Sequence, residues 1–200
     1  QRACIGDFYS QASNRGRKFF LILIVIILAC FIGLRTSYND TYTYRMMYEA
    51  TPVFPEFWKT FSWTLGDNPG FQICNAIMRS LNISWHGMFL IYAFITTASA
   101  IWLFRTFSPD FTTALFLFFA TNAYTLTAAA QKQCLAIAIA AFAIPYALKK
   151  RWTPFVLIIL LASTFHQYIL MYLIVPLLTF KPWTKWTYVL IAGALLCGFL

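Results

Sequence analysis

The sequence predicts an all-α protein, a polytopic transmembrane helix bundle with short extracytoplasmic amphipathic helices. Three observations predict it. Of 200 residues, 60% are hydrophobic and only 10% are charged, where soluble domains carry about 25% charge. Apolar runs of helical length recur along the chain, and the mean hydropathy is +0.67. The net charge of +9 gathers in short basic clusters beside those runs, as it does in cytoplasmic loops. This balance excludes a soluble enzyme, a disordered tail and a dedicated nucleic-acid binder. The expected surroundings are a lipid bilayer, with no nucleic acid.

Residues 1–18 read as a cytoplasmic tail. Arg15, Arg17 and Lys18 precede the uncharged run 19–34, so its start faces the cytoplasm. Ile32, Gly33, Leu34 and Arg35 follow it. None of these forms a cleavage site, so the run is a retained first transmembrane helix. Residues 19–200 read as one multi-pass domain of about six to seven helical membrane segments, although the first run and the last are shorter than the roughly 20 residues a spanning helix needs. The chain opens on Gln1 and closes inside an apolar run. It reads as a piece of a longer membrane protein whose C-terminal part is missing.

Residues 35–84 form the expected extracytoplasmic loop. It holds Asp40, Glu49, Glu56 and Asp67, four of the six acids, among many Tyr, Phe and Trp residues. Ser37 or Asn39 can cap a short helix to Ala50, which Pro52 stops. On it Asp40, Tyr44 and Tyr48 share one face. Residues 71–82 read as a second amphipathic helix flat on the outer surface. Phe71, Cys74, Ile77, Met78 and Leu81 lie on its apolar side, and Gln72, Asn75, Arg79 and Asn82 on its polar side.

The run 85–104 returns inward to Arg105. Residues 111–127 go out, and 131–148 come back to Lys149, Lys150 and Arg151 on the cytoplasmic side. The stretch 154–180 is interrupted by Ser163, Thr164, His166 and Gln167. It reads equally as one tilted span or as two half-helices meeting at a polar break. A last run starts at Thr187. The five cysteines are scattered without CxxC spacing, which argues against a disulfide framework or a zinc site.

Lys132 stands in the first turn of the helix starting at Gln131. A helix N-terminus carries about half a positive charge and free N–H donors. Arg35 and Arg79 fall on the same, outer side. These three cations either snorkel to lipid headgroups or clamp a pyrophosphate, and the neighbouring Gln131 and Gln133 favour the clamp. His166 lies about 12 residues past the cytoplasmic end of its helix, roughly 18 Å deep. On a continuous helix Ser163, His166 and Gln167 would share a face. A polar group at that depth is a functional candidate and suits general-base work. The alternative is a histidine bonded to nearby backbone or to Thr164. His86 reads as interfacial. Asp40 among tyrosines fits a sugar site, or simply a charge at a helix N-terminus.

A resemblance rests on five segments in order. They are Arg35 with Asn39-Asp40-Thr41-Tyr42-Thr43-Tyr44, then Asp67-Asn68-Pro69-Gly70-Phe71, then Lys132-Gln133-Cys134-Leu135-Ala136, then Lys149-Lys150-Arg151, and last Ala162-Ser163-Thr164-Phe165-His166. Residues 19–180 resemble the EpsG family, related in role to Wzy-type O-antigen and capsule polymerases. The family's Arg-Gln is Lys132-Gln133 here. Lysine keeps the charge and loses the bidentate fork.

The resemblance implies a glycosyltransferase of the bacterial inner membrane. It would polymerise polyprenyl-pyrophosphate-linked repeat units into exopolysaccharide, capsule or O-antigen, with other polysaccharide export proteins as partners. It implies His166 and Asp40 as candidate bases. Arg35, Lys132, Gln133, Arg79 and Tyr44 would bind substrate and pyrophosphate. No metal and no cofactor is expected. A non-enzymatic transporter or flippase of lipid-linked saccharides is the alternative, and a structural subunit of an export complex is a third reading.

Overall fold

A computed structural model of the chain describes residues 14–178 together with 185, 188 and 189. Residues 1–13 of the expected tail and most of the last run lie outside the described residues. The described residues are helical, with no strand among them.

Helix α1 (Asn14–Gly33) starts before the apolar run. Arg and Lys are good helix formers, so the helix takes in the basic residues ahead of the run. Gly33 ends it against α5 (Trp85–Phe107). A Cβ on Gly33 would stand 2.7 Å from the Leu90 Cα, so only glycine permits this approach. Ala29 and Ile32 of α1 and Ala93 of α5 are buried in one cluster. The Ser84 hydroxyl caps α5 by accepting the Gly87 N–H at 3.3 Å.

Between Arg35 and α5 lie α2 (Thr41–Ala50), α3 (Phe57–Thr60), a 3-10 turn (Leu65–Asp67) and α4 (Pro69–Ser80). Helix α4 differs from the expected flat amphipath. Asn75 is 2% exposed and accepts the Tyr92 hydroxyl at 2.8 Å, whereas Ile77 is 44% and Leu81 67% exposed. The bond to Tyr92 decides the difference, because it lets a polar residue face inward at no loss. Phe71 and Met78 complete that buried face.

The expected single span 111–127 is two helices, α6 (Phe111–Ala120) and α7 (Ala123–Ala129). Asn122 separates them in the left-handed region at φ 58°, which asparagine tolerates. The Tyr124 hydroxyl then donates to the Leu28 carbonyl at 2.8 Å and ties α7 to α1. The segment 131–148 is also interrupted, into α8 (Gln131–Ala141) and α9 (Ile144–Leu148). Pro145 has no N–H to continue the ladder, and Phe142 and Ala143 make tighter bonds to Ile139 and Ala140. Ala136, Ala140 and Ala143 pack against Phe155, Ile159 and Ala162 of α10 (Trp152–Ser163). The Ser99 hydroxyl joins α5 to α8 through the Ala138 carbonyl at 2.9 Å.

Of the two readings of 154–180, the structure has the broken one. Helix α10 stops at Ser163, and a 3-10 helix (Gln167–Ile174) and α11 (Val175–Leu178) follow. The Ser163 and Thr164 hydroxyls turn back to the Leu160 and Leu161 carbonyls, each at 2.7 Å. Such bonds compete with the helix ladder. His166 is extended at φ −160°. Ser163, His166 and Gln167 therefore do not share one helical face, a correction to the expectation from spacing.

Trp85–Phe107, and Gln131–Leu148 when α8 and α9 are taken together across their tight turn, are the two described helical stretches long and apolar enough to cross a membrane. Lys18–Gly33, Phe111–Ala120 and Trp152–Ser163 are apolar but shorter.

Candidate functional site

The site forms where α1 ends, α5 and α8 begin, and α10 breaks. Arg35 leaves α1 just past Gly33. Its guanidinium lies 4.1 Å from the centroid of the Phe89 ring. Its Nε donates to Thr41 Oγ1 and its Nη1 to the Ile32 carbonyl, both at 2.9 Å. Its Nη2 is buried without a partner. Burial pulls this guanidinium down to about 10, against the opposing effect of Tyr44. It is still charged at neutral pH.

Tyr44 is the hub. It is buried on α2, and its hydroxyl oxygen accepts the Lys132 backbone N–H at 3.5 Å. Burial pushes the phenol up, so it stays a neutral hydroxyl with its own proton free to donate. The Lys132 Nζ stands 6.0 Å from the Tyr44 centroid and 5.9 Å from that of Phe71, at the outer reach of a cation–π contact. Helix α8 starts without a side-chain cap. In its first turn Gln131 is 2% exposed, and its Oε1 is buried without a partner.

His166 lies within electrostatic range of the Lys132 ammonium, with its ring edge-on to Tyr168 at 5.2 Å. The break that carries it is fixed from outside. The Gly70 N–H at the start of α4 donates to the Thr164 carbonyl at 2.9 Å.

Tyr44, Phe71 and Phe89 belong to one buried cluster; Arg35 borders it at Phe89, Lys132 at Tyr44 and Phe71, and Phe165, next to His166 in the chain, packs against it. Asp40 is exposed at the N-terminus of α2, within electrostatic range of Tyr44, at the edge of the group. Gln133 is exposed where Gln131 is buried. Arg79 sits apart from the Arg35–Lys132 group. Its Nε donates to the Thr51 carbonyl at 3.4 Å, and it lies 5.8 Å from the Tyr48 centroid. It joins the end of α2 to α4. His86 stacks on Trp85 at 3.4 Å.

Sequence reasoning did not single out Phe89 or Thr41, the two partners of Arg35. Thr41 had a signal, since it follows Asp40 in the segment that carries the resemblance. Phe89 is one phenylalanine among 21 and had none. Among the described residues no three His, Cys, Asp or Glu gather to hold a metal ion.

The EpsG family model matches residues 18–200. The chain belongs to the EpsG family. Membership makes it a polysaccharide-related membrane protein. No curated protein matches the chain, and no solved structure matches it. In this EpsG-family chain, four of the five segments that carried the resemblance meet at one place. They supply Arg35 and Tyr44, Gly70 and Phe71, Lys132, and His166. The fifth, Lys149-Lys150-Arg151, lies past the far end of α8 and α9.

Proposed function

We propose that this chain is a multi-pass glycosyltransferase of the bacterial inner membrane, polymerising polyprenyl-pyrophosphate-linked oligosaccharide repeats into exopolysaccharide, capsule or O-antigen. One observation carries the reading: Lys132 lies against the Tyr44 and Phe71 rings and Arg35 against the Phe89 ring, around one buried cluster in which the Tyr44 hydroxyl stays neutral. Two cations and an O–H donor beside aromatic rings suit a pyrophosphate with a sugar attached. Charge gives the orientation. Arg15, Arg17 and Lys18 lead into the apolar run of α1 and Lys149, Lys150 and Arg151 cluster past α9, whereas Arg35, Arg45, Lys59 and Arg79 are spread along the longer loop between α1 and α5 among four acids. By the positive-inside trend the site faces outward.

In the reaction a hydroxyl of an incoming lipid-linked unit attacks the anomeric carbon of the donor glycan. The anomeric C–O bond to the carrier breaks, and the pyrophosphate leaves with that electron pair. Arg35 and Lys132 stabilise the charge that develops on it, and Tyr44 donates to a phosphate oxygen. His166, beside Lys132, or Asp40, at the edge, takes the hydroxyl proton. Gln133 and Arg79, farther out, meet outlying parts of the substrate. Other polysaccharide export proteins would receive the product.

Polymer length in cells is the test. Lys132→Arg retains polymerisation and Lys132→Glu abolishes it; equal activity in both returns Lys132 to a headgroup anchor. His166→Ala and Asp40→Asn separate transfer from transport. A polymerase defect leaves unpolymerised repeats outside, whereas a flippase defect traps lipid-linked units on the cytoplasmic side. Topology is checked by an impermeant thiol reagent, which labels a cysteine at position 60 from outside and not one at position 150.

A further inference from the structure

We propose that the turn Lys149-Lys150-Arg151, with the apolar cavity beneath it, binds an anionic glycerophospholipid at the end of the bundle away from Arg35 and Lys132. The cavity has a volume of about 580 Å³, within the roughly 300–1,000 Å³ of small-molecule sites. Its walls are Leu103 of α5, Ile137 and Ala141 of α8, Leu148 of α9 and Ile159 of α10, and Lys150 stands among them. On the other side of α9 a second cavity of about 420 Å³ is bounded by Trp102, Tyr146, Lys149 and Arg151. Consecutive cations thus serve two different cavities.

The backbone arranges this. Lys150 adopts φ 53°, a left-handed conformation unfavourable for a residue with a Cβ. Its N–H and that of Arg151 close back on Ala147 and Tyr146. The reversal sends Lys150 to one side and its two neighbours to the other.

Among the described residues no acid pairs with this charge. Among the described residues the one ion pair is Arg45–Glu49. Asp110, the described acid next to the end of α5, is engaged with Thr112 and Thr113. Three exposed cations alone would attract any anion. A greasy chamber opening beside Lys150 selects an anion that carries an acyl chain, with the phosphate on Lys150 at the turn and the chain between α8 and α10. This inference does not depend on the polymerase reading.

The test uses the purified full chain in neutral detergent, titrated with phosphatidylglycerol, with phosphatidylcholine of the same chains, and with inorganic phosphate, and read by native mass spectrometry. Phosphatidylglycerol is expected to bind at least tenfold more tightly than phosphatidylcholine. The combined variant Lys149→Gln, Lys150→Gln, Arg151→Gln is expected to lose that preference. These side chains are exposed, so the variant folds. Ala147→Phe, which fills the cavity, is expected to weaken phosphatidylglycerol at least tenfold while leaving inorganic phosphate unchanged. Equal binding of the two lipids overturns the proposal, as does a triple variant that keeps the preference. Phosphatidylglycerol binding untouched by Ala147→Phe also overturns it, because attraction to the turn alone needs no chamber. Absence of lipid binding, as when residues 179–200 occupy the cavity, overturns it too.

Discussion

The Gly70 N–H donates to the Thr164 carbonyl at 2.9 Å, joining the start of α4 to the break in α10 two residues before His166. This bond reaches across 94 positions of the chain to place the imidazole. A Cβ on Gly70 would land on Thr164 Oγ1, with Thr164 Cβ at 3.0 Å and Phe165 Cε2 at 3.1 Å. Gly70→Ala must push the break away. Overpacking of this kind costs about 1–3 kcal/mol. We expect a lower unfolding temperature in detergent and shorter polymer, partly restored by Thr164→Ala. Gly66→Ala is the control, because its Cβ would meet only Gln167 Oε1 at 3.9 Å. Equal behaviour of the two alanine variants would remove the positioning role of Gly70.

Arg35 is held more tightly than a headgroup anchor needs. It stacks on Phe89 and donates to Thr41 and to the Ile32 carbonyl. Lysine cannot make this fork. Arg35→Lys is therefore expected to shorten polymer far more than Lys132→Arg, although both keep the charge. Thr41→Val, which removes the Nε acceptor of a charged donor, is expected to cost about 1.5–3 kcal/mol. Thermal unfolding and polymer length measure the two effects. An Arg35→Lys variant with native polymer length would reduce Arg35 to a point charge.

Much of this was legible in the sequence because apolar helices are written in bulk composition. The all-helical class, the places of α1, α5 and α10, and the first-turn position of Lys132 follow from apolar runs and their flanking charges. The breaks were harder. Asn122 and Pro145 interrupt predicted single spans, and each carries a local signal: asparagine tolerates positive φ, and proline lacks an N–H. A count of apolar residues passes over both. Asn75 was assigned to a polar outer face because periodicity reads side chains one helix at a time. Only Tyr92, 17 residues later on another helix, makes its burial favourable. The choice of Gln131 over Gln133 as the buried glutamine depends on how α8 is rotated against Met88, and one sequence does not encode that rotation by pattern.

Tyr44→Phe separates the hub's hydroxyl from its ring. The ring keeps its edge contact with Phe71 at 6.2 Å, while the Lys132 N–H loses its acceptor. A neutral hydrogen bond of this kind is worth about 0.5–1.5 kcal/mol, so folding survives. If the phenol donates to the leaving pyrophosphate, kcat falls more than KM rises. A rise in KM with kcat unchanged would assign Tyr44 to uniform binding.

The acid end of the pH profile tests the cap of α6. The Asp110 carboxylate accepts the Thr113 hydroxyl and the N–H groups of Thr113 and Thr112, and these bonds hold it below its ordinary value of 3.8. A carboxyl with a depressed folded value stabilises the folded state fully above its unfolded value. That contribution is lost as pH falls through the lower, folded value. The first turn of α6 should therefore keep its amide-exchange protection from neutral pH down to about pH 4 and lose it only below that. Asp110→Asn, which cannot titrate, should show weaker protection with no acid limb. Hydrogen exchange followed by mass spectrometry over residues 110–114 reads both. An identical acid limb in the Asn variant would mean that a group other than Asp110 opens this end of the helix.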